Sequence, residues 1–188
     1  MRGQAIALIA TAGAQVDKAA PLLILQAVKN EKQLNFTDVK ADPDCVNAWP
    51  VSDLSAFLAG DWRLERQLED RLRGTVGALS GQAGFHSDPE GLAYTESGVL
   101  HMYGCDYRVQ RHYRYHFPEP GWARVLFEDG RLFHHLDLRT GCWSAEHRCG
   151  ADLYRGRFRA LAPDAWRMSW QITGPRKDLR LKTWFQRN

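Results

Sequence analysis

The sequence predicts an all-β protein: an antiparallel up-and-down barrel of about ten strands, preceded by a helical N-terminal extension. Three observations carry this. From Gly60 onward, short segments are separated at regular intervals by Gly, Pro, Asp or Asn. Within those segments polar and apolar residues alternate with a period of two, the mark of a strand with one buried face. Aromatic residues make up 11% of the chain, with seven Trp, a bias that suits strands and an aromatic-lined interior.

The totals bound the answer. The chain has 188 residues, 44% hydrophobic and 25% charged, enough for one barrel and an extension. A net charge of +3 is surface decoration unless clustered, so no nucleic-acid partner is expected. No apolar run is long enough for a membrane-spanning helix. Cys45, Cys105, Cys142 and Cys149 lack C-x-x-C spacing and are expected to be reduced thiols in a cytoplasmic protein; an oxidising compartment would allow a Cys142–Cys149 hairpin disulfide. Residues 1–16, MRGQAIALIATAGAQV, read either as a weak targeting segment or as a buried strand or helix of the extension.

Two domains are expected, an extension over 1–51 and a barrel over 52–188. Residues 18–31, KAAPLLILQAVKNE, read as a helix with Pro21 in its first turn. Residues 33–51 hold Asp42-Pro43-Asp44 and Trp49-Pro50 and read as a loop. Ser52 is placed to cap a short helix, DLSAFLA, that stops at Gly60. Strands are then expected near 61–69, 75–86, 91–101, 107–118, 121–129, 131–139, 143–149, 151–161, 164–174 and 178–187. Asp129-Gly130 suits a two-residue type I′ turn, which sets Val125 opposite His134.

Parity then assigns faces. Around that turn, Ala123, Val125, Phe127, Leu132, His134, Leu136 and Leu138 share the inner face. Elsewhere Trp62 and Arg66, Tyr94 and Glu96, Arg111, Tyr113 and Tyr115, Asp152 and Tyr154, and Trp166 and Trp170 fall inside. His147 and Cys149 share a parity and are candidates to join them. An interior holding two arginines, two carboxylates and several tyrosines is either an internal salt-bridge network or a wet ligand cavity, because an unpaired buried charge is costly.

Gly60-Asp61-Trp62 opens the first strand and Arg187 closes the last, in Thr183-Trp184-Phe185-Gln186-Arg187. This resembles the calycin plan, which implies that Arg187 packs across Trp62 at the closed end, a favourable cation–π contact. Asp129-Gly130-Arg131, Phe133-His134, Leu136-Asp137-Leu138, His147-Arg148-Cys149-Gly150 with Asp152 and Tyr154, and Gly174-Pro175-Arg176-Lys177-Asp178 together resemble a lipocalin-like family of domains of unknown function, over roughly 55–188. The barrel is also similar to nitrobindin, which implies haem held by a His. WRLERQLED replaces nitrobindin's glycine-rich opening strand, so haem is not favoured and the cofactor is unknown.

The leading expectation is binding of a small, partly polar or anionic ligand inside the barrel. Arg66, Arg111, Tyr113 and Tyr115 would orient it, with Glu96 and His147 in the same lining and Trp166 and Trp170 as apolar wall. The opposing reading pairs the arginines with Glu96 and Asp152 and leaves no site. A second expectation is an enzyme on the same barrel, with His134 as general acid/base and Asp152 or Tyr154 assisting; against it stands a core His that is simply hydrogen-bonded. A third is a structural or interaction module. His134, His147, Cys149 and Asp152 are residue types that bind metal, but their spacing matches no ligand motif and no metal is expected. Arg155, Arg157 and Arg159 read as a solvated outer face.

Overall fold

The computed structural model describes residues 14–16 and 45–188. The expected helix over 18–31, residues 1–13 of the candidate targeting segment 1–16 and residues 33–44 of the expected loop 33–51 lie outside the described residues.

A three-residue strand, β1 (Ala14–Val16), precedes a short helix, α1 (Leu54–Leu58). Ten strands follow. They are β2 (Gly60–Asp70), β3 (Thr75–Asp88), β4 (Gly91–Met102), β5 (Cys105–Glu119), β6 (Trp122–Leu126), β7 (Leu132–Asp137), β8 (Cys142–Cys149), β9 (Asp152–Ala162), β10 (Ala165–Gly174) and β11 (Lys177–Arg187). Every strand expected after Gly60 is present, with ends displaced by only a few residues. All pairings are antiparallel, and the hydrogen-bonded order is β7-β6-β5-β4-β3-β2-β11-β10-β9-β8. Neighbours in the sheet are neighbours in sequence, except where β2 meets β11 and closes the wall. The result is a nearly closed all-β barrel. β1 adds to β5, setting Ala14 opposite Arg111.

One seam is closed by side chains rather than by a backbone ladder. β7 and β8 end the hydrogen-bonded path. The Trp143 indole N–H crosses from β8 to the His135 carbonyl on β7 at 2.7 Å, and the His147 ring packs edge-on against Phe133 at 5.2 Å.

One end of the barrel is plugged. α1 is capped by Asp53, not Ser52: Asp53 has extended backbone and its carboxylate accepts from the Ala56 N–H at 2.9 Å. Beneath the helix, the Trp62 N–H donates to the Leu58 carbonyl at 2.8 Å. The Arg187 guanidinium lies over the Trp62 ring at 4.3 Å and donates to the Phe57 and Ala59 carbonyls, both at 2.6 Å. It thereby satisfies carbonyls that a five-residue helix leaves open. Trp62 meets Trp166 edge to face, and Trp166 stacks on Phe185 at 3.9 Å.

The segment before α1 crosses the same end. Trp49 N–H donates to Ala160 carbonyl and Val51 N–H to Leu138 carbonyl. Cys45 is disulfide-bonded to Cys142, with Cα atoms 5.9 Å apart. The expectation of four reduced thiols is corrected for these two, and so is the Cys142–Cys149 alternative. The partner lies 97 residues away in sequence, where spacing arguments do not reach. Cys105 and Cys149 are free and exposed, so Cys149 does not join the interior.

The Asp129-Gly130 hairpin departs from the expected turn. Gly130 has φ +82°, while Asp129 is not in the left-handed region. Gly130 N–H donates to the Phe127 carbonyl and Phe127 N–H to the Arg131 carbonyl. This is a three-residue loop, a type I turn followed by a left-handed glycine, rather than a type I′ turn. Val125 does pair with His134, but the next pair is Leu126 with Leu132, so β7 carries a bulge at Phe133. The extra residue sends Leu132 outward, 41% exposed, and buries Phe133 beside His134.

Candidate functional site

The buried charges centre on Glu96. β4 pairs with β5 and β2 lies one strand further on, beyond β3, and the alternation of each strand turns Arg66, Glu96 and Arg111 inward. Arg66 grips Glu96 through two parallel hydrogen bonds of 2.5 and 2.8 Å, and its Nε donates to Thr183 Oγ1 at 2.8 Å. The Tyr94 hydroxyl donates to the second Glu96 oxygen at 2.6 Å. Arg111, cross-strand partner of Glu96, has its Nε 3.9 Å from Oε1. Burial drives the Glu96 carboxyl pKa up, but both guanidinium charges and the Arg66 and Tyr94 hydrogen bonds outweigh it and hold the group down at about 2. Two guanidinium groups thus share one carboxylate.

Around Arg111 the remaining polar groups are neutral. Burial raises the phenols of Tyr94, Tyr113 and Tyr115, so none supplies a negative charge; Tyr113 is pushed up to about 12. Desolvation lowers His134 to about 3, leaving an uncharged imidazole at neutral pH. Its Nδ1 lies 2.8 Å from the His135 carbonyl, which fixes the proton on Nδ1.

A cavity of about 40 Å³ lies among these groups. Its polar lining is Arg111, Tyr94, Tyr113, Tyr115, Tyr154 and His134, and the wall opposite carries Phe133, Phe158, Trp166 and Trp170. Space of this size holds roughly three waters. Phe133 stacks between Tyr113 and Trp170, which fills much of the remaining interior. The Trp166 indole N–H is buried and has no acceptor among the described residues.

The other sequence-derived residues lie apart from this centre. Arg66 and Glu96 are buried but do not line the cavity. Asp152 is paired with Lys177 at 2.5 Å, and Lys177 Nζ lies 3.5 Å from the Tyr154 hydroxyl. Among the described residues no hydrogen bond joins His134 to Asp152 or to Tyr154. His147 sits in the seam against Phe127, Phe133 and Tyr154, and burial lowers its pKa. The suggestion that Asp152 balances an interior arginine is replaced by its bond to Lys177. Among the described residues no group of three or more His, Cys, Asp or Glu is placed to hold a metal. A cavity of about 40 Å³ does not fit a porphyrin, so the site does not suit haem.

Two contributors were not among the candidates. Tyr94 shares parity with Glu96 two residues on, and that spacing is a signal that a carboxylate-bonding hydroxyl stands beside it. Phe133 was hidden by the bulge, which no alternation rule anticipates.

The nearly closed antiparallel barrel, plugged at one end by Trp62 and Arg187, is of the lipocalin-like class. The chain belongs to the DUF6314 family, a family of unknown function, whose model matches residues 58–187. No curated protein matches the sequence. Among solved structures, the barrel is similar to a DUF3598-family protein of unknown function from Nostoc punctiforme, with 11% identity and a TM-score of 0.53 over 79% of this chain and 53% of that one. The chain thus spans about half the length of the Nostoc protein. It is also similar to the S-type phycobiliprotein lyase CPES from Guillardia theta, with 10% identity and a TM-score of 0.50 over 71% of this chain and 90% of that one. These likenesses concern the fold. Among the described residues no helix is long and apolar enough to cross a membrane.

Proposed function

We propose that the barrel binds a small anionic ligand at Arg111. One observation carries this reading: among the described residues the Arg111 guanidinium lines the cavity together with the hydroxyl-bearing rings of Tyr94, Tyr113 and Tyr115, while Glu96 beside it is gripped by Arg66. A guanidinium lining a low-dielectric interior favours an anion beside it. The cavity has the size of a carboxylate head, and Arg111 with Tyr113 and Tyr115 supplies donors suited to one. Barrels of this size commonly hold one small ligand in the interior.

Acetate titrated against intrinsic Trp fluorescence, with acetamide as the neutral match, tests this. Trp166 and Trp170 line the cavity and report on it. Saturable quenching by acetate, absent with acetamide and lost in Arg111→Gln, is expected. Equal response to acid and amide, no response to the acid, or an unchanged response in Arg111→Gln, overturns it.

The enzyme reading has less support. An imidazole with a pKa of about 3 is a poor general base near neutrality. Asp152 and Tyr154 are engaged with Lys177 instead.

A further inference from the structure

The outer face of β9, β10 and β11 forms a grid of nine residues, fixed by strand register. The first row is Arg155, Gln171 and Arg180. The second is Arg157, Ser169 and Lys182. The third is Arg159, Arg167 and Trp184. The grid therefore holds five arginines, one lysine, one tryptophan and no acid. In sequence these residues alternate with other types, and acids are scattered through the domain, so the strand reads as a solvated face. Register changes that reading, because it brings the cations together and puts the acids at the margin. Glu146 bonds Arg155 from β8, and on β2 Glu69 stands opposite Arg180 and Glu65 opposite Trp184, so the acids flank the grid on both sides and none lies within it.

The spacing concentrates the charge. Strands lie about 4.8 Å apart and same-face residues about 6.7 Å apart along a strand, so six cations occupy a patch about 10 by 14 Å. This is comparable to the Debye length, and the charges act together. Like charges directly opposite, as Arg159 and Arg167 are, destabilise a sheet. Arg155, Arg157, Arg180 and Lys182 are exposed, and Trp184 is 37% exposed. A second aromatic, Trp49, is 47% exposed and is anchored at this edge by its N–H to the Ala160 carbonyl; the neighbouring Arg159 donates to Val46.

We infer that this face binds single-stranded nucleic acid. Guanidinium forks match phosphate oxygens, an exposed indole beside them stacks bases, and Gln171 and Ser169 offer both donors and acceptors. An open sheet face with arginines and aromatic residues is a surface on which unpaired bases can lie. A duplex hides the base faces that Trp184 and Trp49 would stack on. A membrane surface would be served by basic and apolar residues together, and the grid has no aliphatic member. The inference is independent of the ligand proposed for the interior, which lies on the other side of the same strands.

Fluorescence anisotropy of a labelled twelve-nucleotide oligo-dT or oligo-U tests it on the full chain. Binding should weaken about 50-fold between 50 and 200 mM salt for about four phosphate contacts. The triple variant Arg157→Ser, Arg167→Ser, Lys182→Ser should lose at least about tenfold, and Trp184→Ala about fivefold or more, with circular dichroism unchanged and melting of the triple variant not lowered. The inference is overturned by any of four results: no oligonucleotide binding at 50 mM salt, undiminished binding by the triple variant, equal binding of a duplex, or co-sedimentation with phosphatidylserine vesicles under conditions that leave the oligonucleotide free.

Discussion

The Arg66 guanidinium and the Glu96 carboxylate face each other through two parallel hydrogen bonds inside the barrel, each side chain all but sealed from solvent. The pair is an anchor that punishes the loss of one member. Glu96→Leu leaves Arg66 charged without its carboxylate, and should cost about 3–5 kcal/mol in urea unfolding. Arg111→Leu leaves the Arg66–Glu96 pair whole and should cost much less. Equal losses in the two variants would show that charge balance does not govern this interior.

Acid stability should report His134. Its pKa is lowered by burial from 6.5 in the unfolded chain to about 3. Below pH 6.5 the unfolded state therefore takes up a proton that the folded state refuses, and stability falls as pH drops until about pH 3. The slope approaches about 1.4 kcal/mol per pH unit. Glu96 has the same sign but adds only below its unfolded value of 4.5, down to about 2. Unfolding measured between pH 6.5 and 5 isolates the histidines, and His134→Phe should flatten the slope there. His135 and His147 are also lowered and supply the remainder.

Gly156 lies beneath Trp170, its partner across β9 and β10. A methyl group added there would stand 2.7 Å from the indole ring. Gly156→Ala should destabilise the barrel by about 1–3 kcal/mol and shift Trp emission, because the ring must leave its place against Phe133. A neutral substitution with unchanged emission would contradict this packing.

Arg187 holds two carbonyls of the plug and covers Trp62. Arg187→Ala should cost about 2–3 kcal/mol, from the lost charge-assisted bonds and the cation–π contact. Arg187→Lys should recover little, since an ammonium lacks the planar fork.

Alkylation without reductant should label Cys105 and Cys149 and spare Cys45 and Cys142. Cys142→Ser should lower stability by roughly 2–4 kcal/mol by releasing a long loop in the unfolded chain. Labelling of all four would remove the crosslink from the account.

The barrel was legible because its information is local. Each strand carries its own alternation and each turn its own Gly, Pro or Asp, so the ten segments and the inward course of Arg66, Glu96 and Arg111 could be read without knowing any contact. What failed was whatever depends on one inserted residue or on distant sequence. The Phe133 bulge exchanged the positions of Leu132 and Phe133. Cys45 found Cys142 across most of the barrel. The size of the cavity was also invisible, because it is decided by how Phe133, Tyr113 and Trp170 stack, and stacking is a property of rotamers rather than of parity.

Wherever two strands share a ladder, separating them breaks backbone bonds on both. Between β7 and β8 the indole of Trp143 and the ring of His147 do that work instead. Swinging two side chains costs far less than unzipping a sheet. The molecule can therefore breathe along one line while the rest of its wall stays shut. Amides on the facing edges of Leu132–Asp137 and Cys142–Cys149 should trade deuterium well before those of β2, β3 and β4. That line runs directly past His134 and Phe133, so it is the route by which the proposed anion would reach the interior.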